Sequence, residues 1–533
     1  MLTQLFAILL MGILPISTIA EQLKEIPLSE LEQRLAEIDR ELEQLARYSL
    51  RSGVGAIGYR SEPHDDENHP EWIQIDLREA APVDEVVLVP ILWRDTNKGF
   101  QADAFPDRFR VLAGTADHPK GIVVAEYDSA NSTHPGIAPL VVPIPETTAS
   151  WIRIEATHLS SREFDEKYIF QLSEILIFSG SENLALHRPV KVSSDSDFCA
   201  WNARFVVDGF MPYLMDAAQG KQSVAYLSPD SIGDNSFLEI DLSRSVPLSR
   251  IHLHAMDQSD TVPQAFAGDF GMPNRMLVEG ANKPDFSDAK VLLDIHHKTI
   301  YDTGPIMMWN FPETVCRYVR LTIVKFFVHA NRSKFGFAEI ELFSKGRNMA
   351  KNKPFRSSFP ESDDPSRFLA ALTDGNNLYG GILPVREWLN QLALRHTLEI
   401  KRPLVTKELQ LRYTRQKANL TRMGWLVALL MAGTVIMVLV NRIVRQRAIY
   451  RTREQIAADL HDELGANLHA LGLLSDLARA AKASPEKLEK LLQRIRALTE
   501  RTGAAARYCG NLLEAKGLYE NLVEDMRKTS GRL

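Results

Sequence analysis

A histidine followed directly by acidic residues interrupts an otherwise ordinary helical pattern near the end of the 533-residue chain. The segment reads ADLHDELGANLHAL, and His461 follows the apolar Leu460, so we expect its ring at the edge of the apolar stripe, half exposed. An imidazole is largely neutral near pH 7, so one nitrogen can attack while a carboxylate holds the proton on the other. Asp462 is the candidate for that second role. The pair favours acceptance of a phosphoryl group.

Two helices with regular apolar spacing must position this histidine. The first carries a seam interrupted by one polar residue: Leu460, Leu464, Asn467, Leu471, Leu474 and Ala478. Ser484 and Pro485 predict the N-cap and first residue of the second helix, whose seam has the same spacing: Leu488, Leu491, Ile495, Leu498, Thr502, Ala505, Cys509 and Leu512. Two such helices predict a hairpin, and two hairpins an all-α dimeric four-helix bundle. A lone histidine beside such a seam would be interpreted as an ordinary polar residue.

The sequence around His461 changes that interpretation. REQIAADLHDELGANL resembles the phosphoacceptor box of sensor histidine kinases, in the subgroup whose motif reads His-Asp-x-x-x-Gln, over roughly residues 451 to 515. The resemblance implies that His461 is phosphorylated and that Asp462 is its acid–base partner. Ala466 occupies the Gln position, which puts the phosphatase activity linked to that Gln in doubt; Asn467 is its possible substitute.

The same resemblance implies partners that the chain does not contain. It implies a homodimer, a response regulator, and ATP with Mg²⁺ on an ATP-binding domain, but no P-loop or kinase motif is present in this sequence. We therefore expect no cofactor on this chain. Either the sequence is a truncated product of a longer reading frame, or another protein phosphorylates the histidine.

Two apolar runs predict export and a membrane anchor. The run at residues 5–16, followed by small residues up to Ala20, predicts a signal peptide cleaved after Ala20, with an uncleaved anchor as the alternative. The run at residues 423–440 has no charge and approaches the length of a spanning helix. Basic residues flank it on both sides, so the signal decides the orientation. We expect residues 21–422 outside a bacterial inner membrane, periplasmic or extracellular, and residues 441–533 in the cytoplasm.

Short alternating strands form four blocks that occur twice in the same order. The pairs are WIQIDL (Trp72) with FLEIDL (Phe237), PDRFRVLAG (Pro106) with PNRMLVEG (Pro273), WIRIEAT (Trp151) with YVRLTIV (Tyr318), and SEILIF (Ser173) with AEIELF (Ala338). They predict two all-β sandwiches in tandem. The blocks resemble the discoidin, or factor 5/8 type C, domain, a galactose-binding-like jelly roll. That resemblance implies a carbohydrate or similar ligand bound by loops at one end of the barrel, and it assigns no ligand residue.

A further repeat follows the sandwiches. NLALHRPVKVSS with VVDG opens the second unit at Asn183, and NMAKNKPFRSS with LTDG repeats this opening at Asn348, with no further strands expected. Before the sandwiches, apolar residues at three-four spacing and a Ser29–Glu32 capping box predict a coiled-coil-like helix. The expected division is: signal peptide 1–20, helix 21–51, sandwiches 52–180 and 181–345, partial third repeat and linker 346–385, helical stalk 386–422, spanning helix 423–440 and hairpin 441–533.

Other features narrow the function. A net charge of -6 without a basic patch argues against nucleic-acid binding. Three cysteines are too few for a disulfide framework, and a Cys199–Cys316 bridge is unsupported. The HDDENH cluster, His64 to His69, offers metal ligands, but a solvated acidic loop is favoured and no metal is expected. The alternative to a sensor is a membrane-anchored carbohydrate-binding or adhesion receptor whose cytoplasmic helices only dimerise.

Overall fold

The structure is a computed structural model that describes residues 16–50, 57–95, 99–130, 132, 134–163, 165–196, 198, 200–229, 236–256, 272–298, 300–302, 304–325, 335–359 and 368–514. The chain has two compact units, Met1–Arg412 and Tyr413–Leu533. The predicted signal peptide and Cys199 lie largely or wholly outside the described residues.

The N-terminal unit begins with two helices, α1 (Ile16–Glu25) and α2 (Leu28–Gln44), and a short strand, β1 (Arg47–Ser49). The prediction of one helix over residues 21–51 is therefore wrong in its bounds. Pro27 lies between the two helices, where its fixed φ and missing N–H are tolerated. The predicted capping box is also wrong, because Ser29 lies inside the first turn of α2 and the N-cap residue is Pro27.

The apolar seam of α2 packs against the stalk, as the pattern of a pairing helix predicted. Leu31 and Ile38 are buried in one cluster with Leu398 and Leu409 of α3 (Val385–Ala480). Arg395 of α3 donates hydrogen bonds to the carbonyl oxygens of Leu42, Leu45 and Ala46 at the end of α2. A cation there satisfies carbonyls that the helix leaves unpaired and opposes the negative end of the helix dipole.

The first half of the β region forms a sheet whose main strand order is β13-β12-β3-β8-β6-β7. Its central strands alternate buried and partly exposed residues, with Ile73, Ile75 and Leu77 among the buried ones, so one face packs into a core. The strands are β2 (Tyr59–Arg60), β3 (Glu71–Val89), β4 (Leu92–Asp95), β5 (Gly99–Ala102), β6 (Arg108–Gly114), β7 (Ile122–Asp128), β8 (Leu140–His158), β9 (Ser160–Ser161), β10 (Tyr168–Ile169), β11 (Gln171–Leu172), β12 (Glu174–Ser179), β13 (Glu182–Asn183) and β14 (Val190–Val192).

The second half repeats this order as β21-β17-β20-β18-β19, which confirms the tandem duplication. Even the irregularities repeat: Arg78 and Ser243, at the bulges of β3 and β17, have φ of 68° and 70°. The strands are β15 (Leu214–Asp216), β16 (Tyr226–Leu227), β17 (Ser236–Ala255), β18 (Arg275–Ala281), β19 (Lys290–His296), β20 (Ile306–Lys325), β21 (Gly336–Ser344), β22 (Arg347–Asn348) and β23 (Phe355–Ser357).

The boundaries between repeats differ from those expected. β14, expected to open the second unit, pairs with β3 of the first sheet, with Val190 opposite Ile75. In the same way β23 pairs with β17 of the second sheet, with Phe355 opposite Ile240. Each segment therefore closes the sandwich that precedes it, and residues 346–385 are not a partial third repeat. Each closing strand forms hydrogen bonds with backbone groups of the central strand that would otherwise have no partner in the sheet.

Helix α3 continues to Ala480 and carries the apolar run at residues 423–440. The apolar side chains there are exposed, among them Leu430 and Met437 at 71% and 73%. Among the described residues, α3 is the one helix that is long enough and apolar enough to cross a membrane.

A turn at Ala481–Ala483 separates α3 from α4 (Pro485–Glu514) in the C-terminal unit. The predicted start of the second helix at Pro485 is confirmed, with Leu488 N–H donating to the carbonyl oxygen of Ser484 at 3.1 Å. Where side chains are described, the predicted seams are confirmed as the less exposed face of each helix: Leu460, Leu464, Asn467, Leu471, Leu474 and Ala478 on α3, and Leu488, Leu491, Ile495, Leu498, Thr502 and Ala505 on α4. The side chains of Cys509 and Leu512, also predicted in the second seam, lie outside the described part.

Candidate functional site

His461 lies on α3 with an exposed side chain, next to the partly buried Leu460 of the seam. The helical positions one turn before and after it, 457, 458, 464 and 465, are Ala, Ala, Leu and Gly, so none of the side chains at these four positions is charged. Gly465 has open space where a Cβ would lie. The histidine is therefore open to an approaching protein, as its predicted role requires.

Asp462 makes no hydrogen bond to His461 within the described part of the chain, and both side chains are exposed. Neighbouring positions on an α-helix project about 100° apart, so the two side chains do not face each other. The role of Asp462 as acid–base partner stays a prediction. It requires the carboxylate to reach the ring through a rotamer that the structure does not adopt.

Small and apolar residues form the seam of the hairpin that carries His461. Ala478 and Thr502 are each 8% exposed, the lowest values on the two helices of this unit in the described range. The Thr502 hydroxyl donates to the carbonyl oxygen of Leu498 at 2.7 Å, so its polar atom is satisfied within its own helix. Leu491, Ile495 and Leu498 remain only partly buried in the single chain.

The structure brings His64 and His69, two residues of the loop that was interpreted as a solvated acidic loop, close to Glu71 at the start of β3. Potential ligand atoms of His64, His69 and Glu71 lie within 4.8 Å of one another, and the two rings stack at 3.8 Å. Such a group can hold a metal ion. However, Glu71 is buried and its oxygens already accept hydrogen bonds from the hydroxyls of Ser193 and Ser194. The cluster is thus closed by its own hydrogen bonds, and we assign no metal to it.

The sequence reasoning missed a buried polar cluster on the second sandwich. His252 and His254 of β17 lie opposite Glu341 and Glu339 of β21. The available signal was the comparison of the two repeats, because IHLH in the second occupies the place of VVLV in the first. Cys316, for which a bridge to Cys199 was left unsupported by the sequence, is a buried free thiol, and Cys199 lies outside the described residues.

Comparison with known proteins agrees with the C-terminal resemblance. Residues 452–517 match the family model HisKA_3, described as histidine kinase, and His461 lies within the matched segment. No curated protein matches the chain.

Several solved structures resemble the chain at low identity. They include the CBM32-1 and CBM32-2 domains of Clostridium perfringens ZmpB in complex with GalNAc (11% identity, 55% of this chain and 88% of that chain, TM-score 0.18). A fucolectin from striped bass, Morone saxatilis, is 12% identical over 57% of this chain and 97% of that chain, with a TM-score of 0.16. A glycoside hydrolase 29 family member from an unknown rumen bacterium is 11% identical over 57% of this chain and 43% of that chain, with a TM-score of 0.17.

Proposed function

We propose that this chain is a single-pass membrane sensor of a two-component phosphorelay, with His461 as the phosphoacceptor. The observation that carries the proposal is an exposed histidine, followed by an acid, inside a matched histidine kinase domain. In this proposal residues 21–422 are exported and the hairpin is cytoplasmic and dimeric.

The proposed chemistry needs little from this chain beyond a positioned nucleophile. The unprotonated ring nitrogen of His461 attacks the terminal phosphorus of ATP, the bond to the ADP oxygen breaks, and ADP departs. Asp462 accepts a hydrogen bond from the other ring nitrogen and stabilises the positive charge that develops on the ring. An ATP-binding domain supplies the nucleotide with Mg²⁺, and an aspartate of a response regulator then takes the phosphoryl group.

The sensing half of the proposal rests on the anchoring of α3 in the β region. Trp388 and Leu392, in the first turns of α3, are fully buried in one cluster with Val87 and Leu176 of the first sandwich and Met308 of the second. A ligand that changes the packing of the sandwiches would therefore act on the start of α3. The continuous helix supports transmission from there to His461, by a bias between two packings. A carbohydrate bound by the loops of a sandwich is the proposed ligand class.

Phosphotransfer from a separate donor tests the acceptor. The full chain in lipid nanodiscs is incubated with labelled ATP, Mg²⁺ and the ATP-binding domain of a compatible histidine kinase, and the unsupplemented chain provides the baseline. We expect label on the chain, lost in His461→Gln. His469→Gln is the matched control, because His469 is an exposed histidine of the same helix and should not affect labelling.

Two results would contradict the proposal. Label that survives His461→Gln would place the acceptor elsewhere. Absence of label with every compatible donor, while the hairpin still dimerises, would favour the alternative of an adhesion receptor with a purely dimerising cytoplasmic part.

A further inference from the structure

A cavity of about 220 Å³ lies where the two sandwiches meet the residues just before α3. The first sandwich contributes Phe178 and Asn183 to its wall, and the second contributes Arg250, His252 and Glu341. Residues 382–385 complete the wall. The volume is sufficient for several waters or one small organic molecule. The cavity is lined largely by the flank of the sheets, so it is distinct from a loop site at one end of a barrel.

The two repeats show that the fold does not require polar residues at this place. Leu176 lies opposite Val87 in the first sandwich, and Glu341 lies opposite His252 at the equivalent register of the second. The apolar pair is fully buried beneath α3. Burying a histidine and a carboxylate at the same register costs free energy that an apolar pair avoids. The requirements of the fold alone therefore do not account for the His252–Glu341 pair.

The carboxylate of this cluster is already satisfied within the protein. Glu341 Oε2 lies 3.1 Å from His254 Nε2 and 3.4 Å from His252 Nδ1, and its Oε1 accepts from Asn348 Nδ2 at 3.2 Å. Burial works against its charge, but the hydrogen bonds from the two histidines outweigh it and hold the pKa of Glu341 below its usual value. Burial lowers the pKa of His252 to about 4, so its ring is neutral at pH 7.

Two side chains that line the cavity each have a buried hydrogen-bond donor without a partner among the described residues. Asn183 is 8% exposed, and its Oδ1 accepts from two backbone N–H groups, whereas its Nδ2 has no hydrogen-bond partner among the described residues. Arg250 Nε is likewise buried and unpaired within that part of the chain, with the guanidinium 4.4 Å from the ring of Phe343. Lys351 adds a second positive charge to the lining. These two buried donors thus have no acceptor among the described residues, and buried donors left unpaired are costly.

We propose that this cavity binds a small organic carboxylate, about the size of one six-membered ring. The carboxylate accepts hydrogen bonds from Arg250 and Asn183, since charge-assisted bonds to a guanidinium are among the strongest in proteins. The body of the ligand packs against Phe343 and Met308, which line the same cavity. An effect of binding on α3 would rest on the proposed sensor function, but the binding itself does not.

Calorimetric titration of the full chain in nanodiscs tests the binding, with two matched pairs of probes. Benzoate is compared with benzamide, and galacturonate with galactose, because each pair differs mainly in the carboxylate. We expect one of the carboxylates to bind with a Kd of about 1 mM or tighter, and its neutral partner at least about tenfold more weakly. No binding by either carboxylate at about 10 mM, or equal binding by the neutral partners, would overturn the proposal.

Two variants locate the bound carboxylate. Arg250→Gln should weaken binding at least about tenfold, because it removes the charge-assisted bond. Leu383→Trp fills the cavity from the partly exposed segment before α3 and should abolish binding without disturbing a sandwich core. The control is Arg275→Gln, which removes an arginine paired with Asp294 away from the cavity and should leave binding unchanged. Binding that survives both cavity variants would lie elsewhere and would overturn the proposal, whatever the phosphotransfer result.

Discussion

Replacing Arg386 by Met should loosen the start of α3 from the first sandwich. The guanidinium makes two hydrogen bonds to the Glu85 carboxylate, Nε to Oε1 at 3.0 Å and Nη2 to Oε2 at 3.1 Å, and lies 3.0 Å from Asp84. Glu85 is only 6% exposed. Removing one partner of a buried ion pair leaves the other charge uncompensated, at a cost of about 3 to 5 kcal/mol. Arg386 is itself partly exposed, so we expect the lower end, about 3 kcal/mol.

The pH dependence of the loss identifies its cause. Burial raises the pKa of Glu85, and the hydrogen bonds and charge of Arg386 oppose that rise, so Arg386→Met should raise this pKa further. When the pKa of a carboxyl group is higher in the folded state than in the unfolded state, the free energy of unfolding decreases as the pH rises above the unfolded pKa of 4.5. The penalty should therefore be small near pH 4 and complete above the raised folded pKa.

Differential scanning calorimetry of the full chain in nanodiscs measures this effect. At pH 7.5 Arg386→Met should lower the Tm of the N-terminal unit by about 3 to 6 °C. Glu85→Gln in the same chain should restore part of the loss, because it removes the uncompensated charge. Arg275→Gln, which breaks an ion pair between half-exposed side chains, should leave the Tm almost unchanged. A loss that is equal at pH 4 and 7.5, or that Glu85→Gln does not reduce, would refute the electrostatic explanation.

Two further predictions concern topology and dimerisation. A reporter enzyme that is active only after export should be active when fused at residue 345, and a reporter that is active only in the cytoplasm should be active when fused at residue 520. We expect this because the N-terminal apolar run resembles a signal peptide. The reverse pattern would rule out the proposed orientation. In a soluble fragment from Arg451 onward, Ile495→Asp should weaken dimerisation by several kcal/mol, about 2 to 4, since it places a charge in a seam that the single chain only partly buries. Sedimentation that finds the unchanged fragment monomeric at high concentration would contradict this.

Much of the fold could be predicted from periodicity, because periodicity reports which face of an element is buried. The three-four spacing in the hairpin and the alternation in the duplicated strands correspond to the less exposed faces of these elements. Predictions at element ends were less successful. Nothing in the pattern near Ser29 showed that Pro27, outside the apolar seam, would be the N-cap.

For the candidate sites, adjacent residues were predictable and distant ones were not. The His461 box is a contiguous segment, so its residue types and spacing were enough to identify a candidate nucleophile. Its predicted relation to Asp462 depends on side-chain rotamers, which the spacing does not determine. The cavity was not predicted, because Asn183, Arg250 and Glu341 belong to strands of two different sheets.

The sequence by itself determined the elements: an apolar run of spanning length, two helical seams with a histidine beside one of them, and strands repeated in the same order. Only the tertiary structure decided which sandwich each closing segment joins, since β14 and β23 could be assigned to the preceding unit only from their pairing. It also showed that donors of Asn183 and Arg250, without a partner among the residues described, line one cavity. Local spacing reports how one element is oriented toward a core, whereas contacts between sheets depend on how complete layers pack against each other.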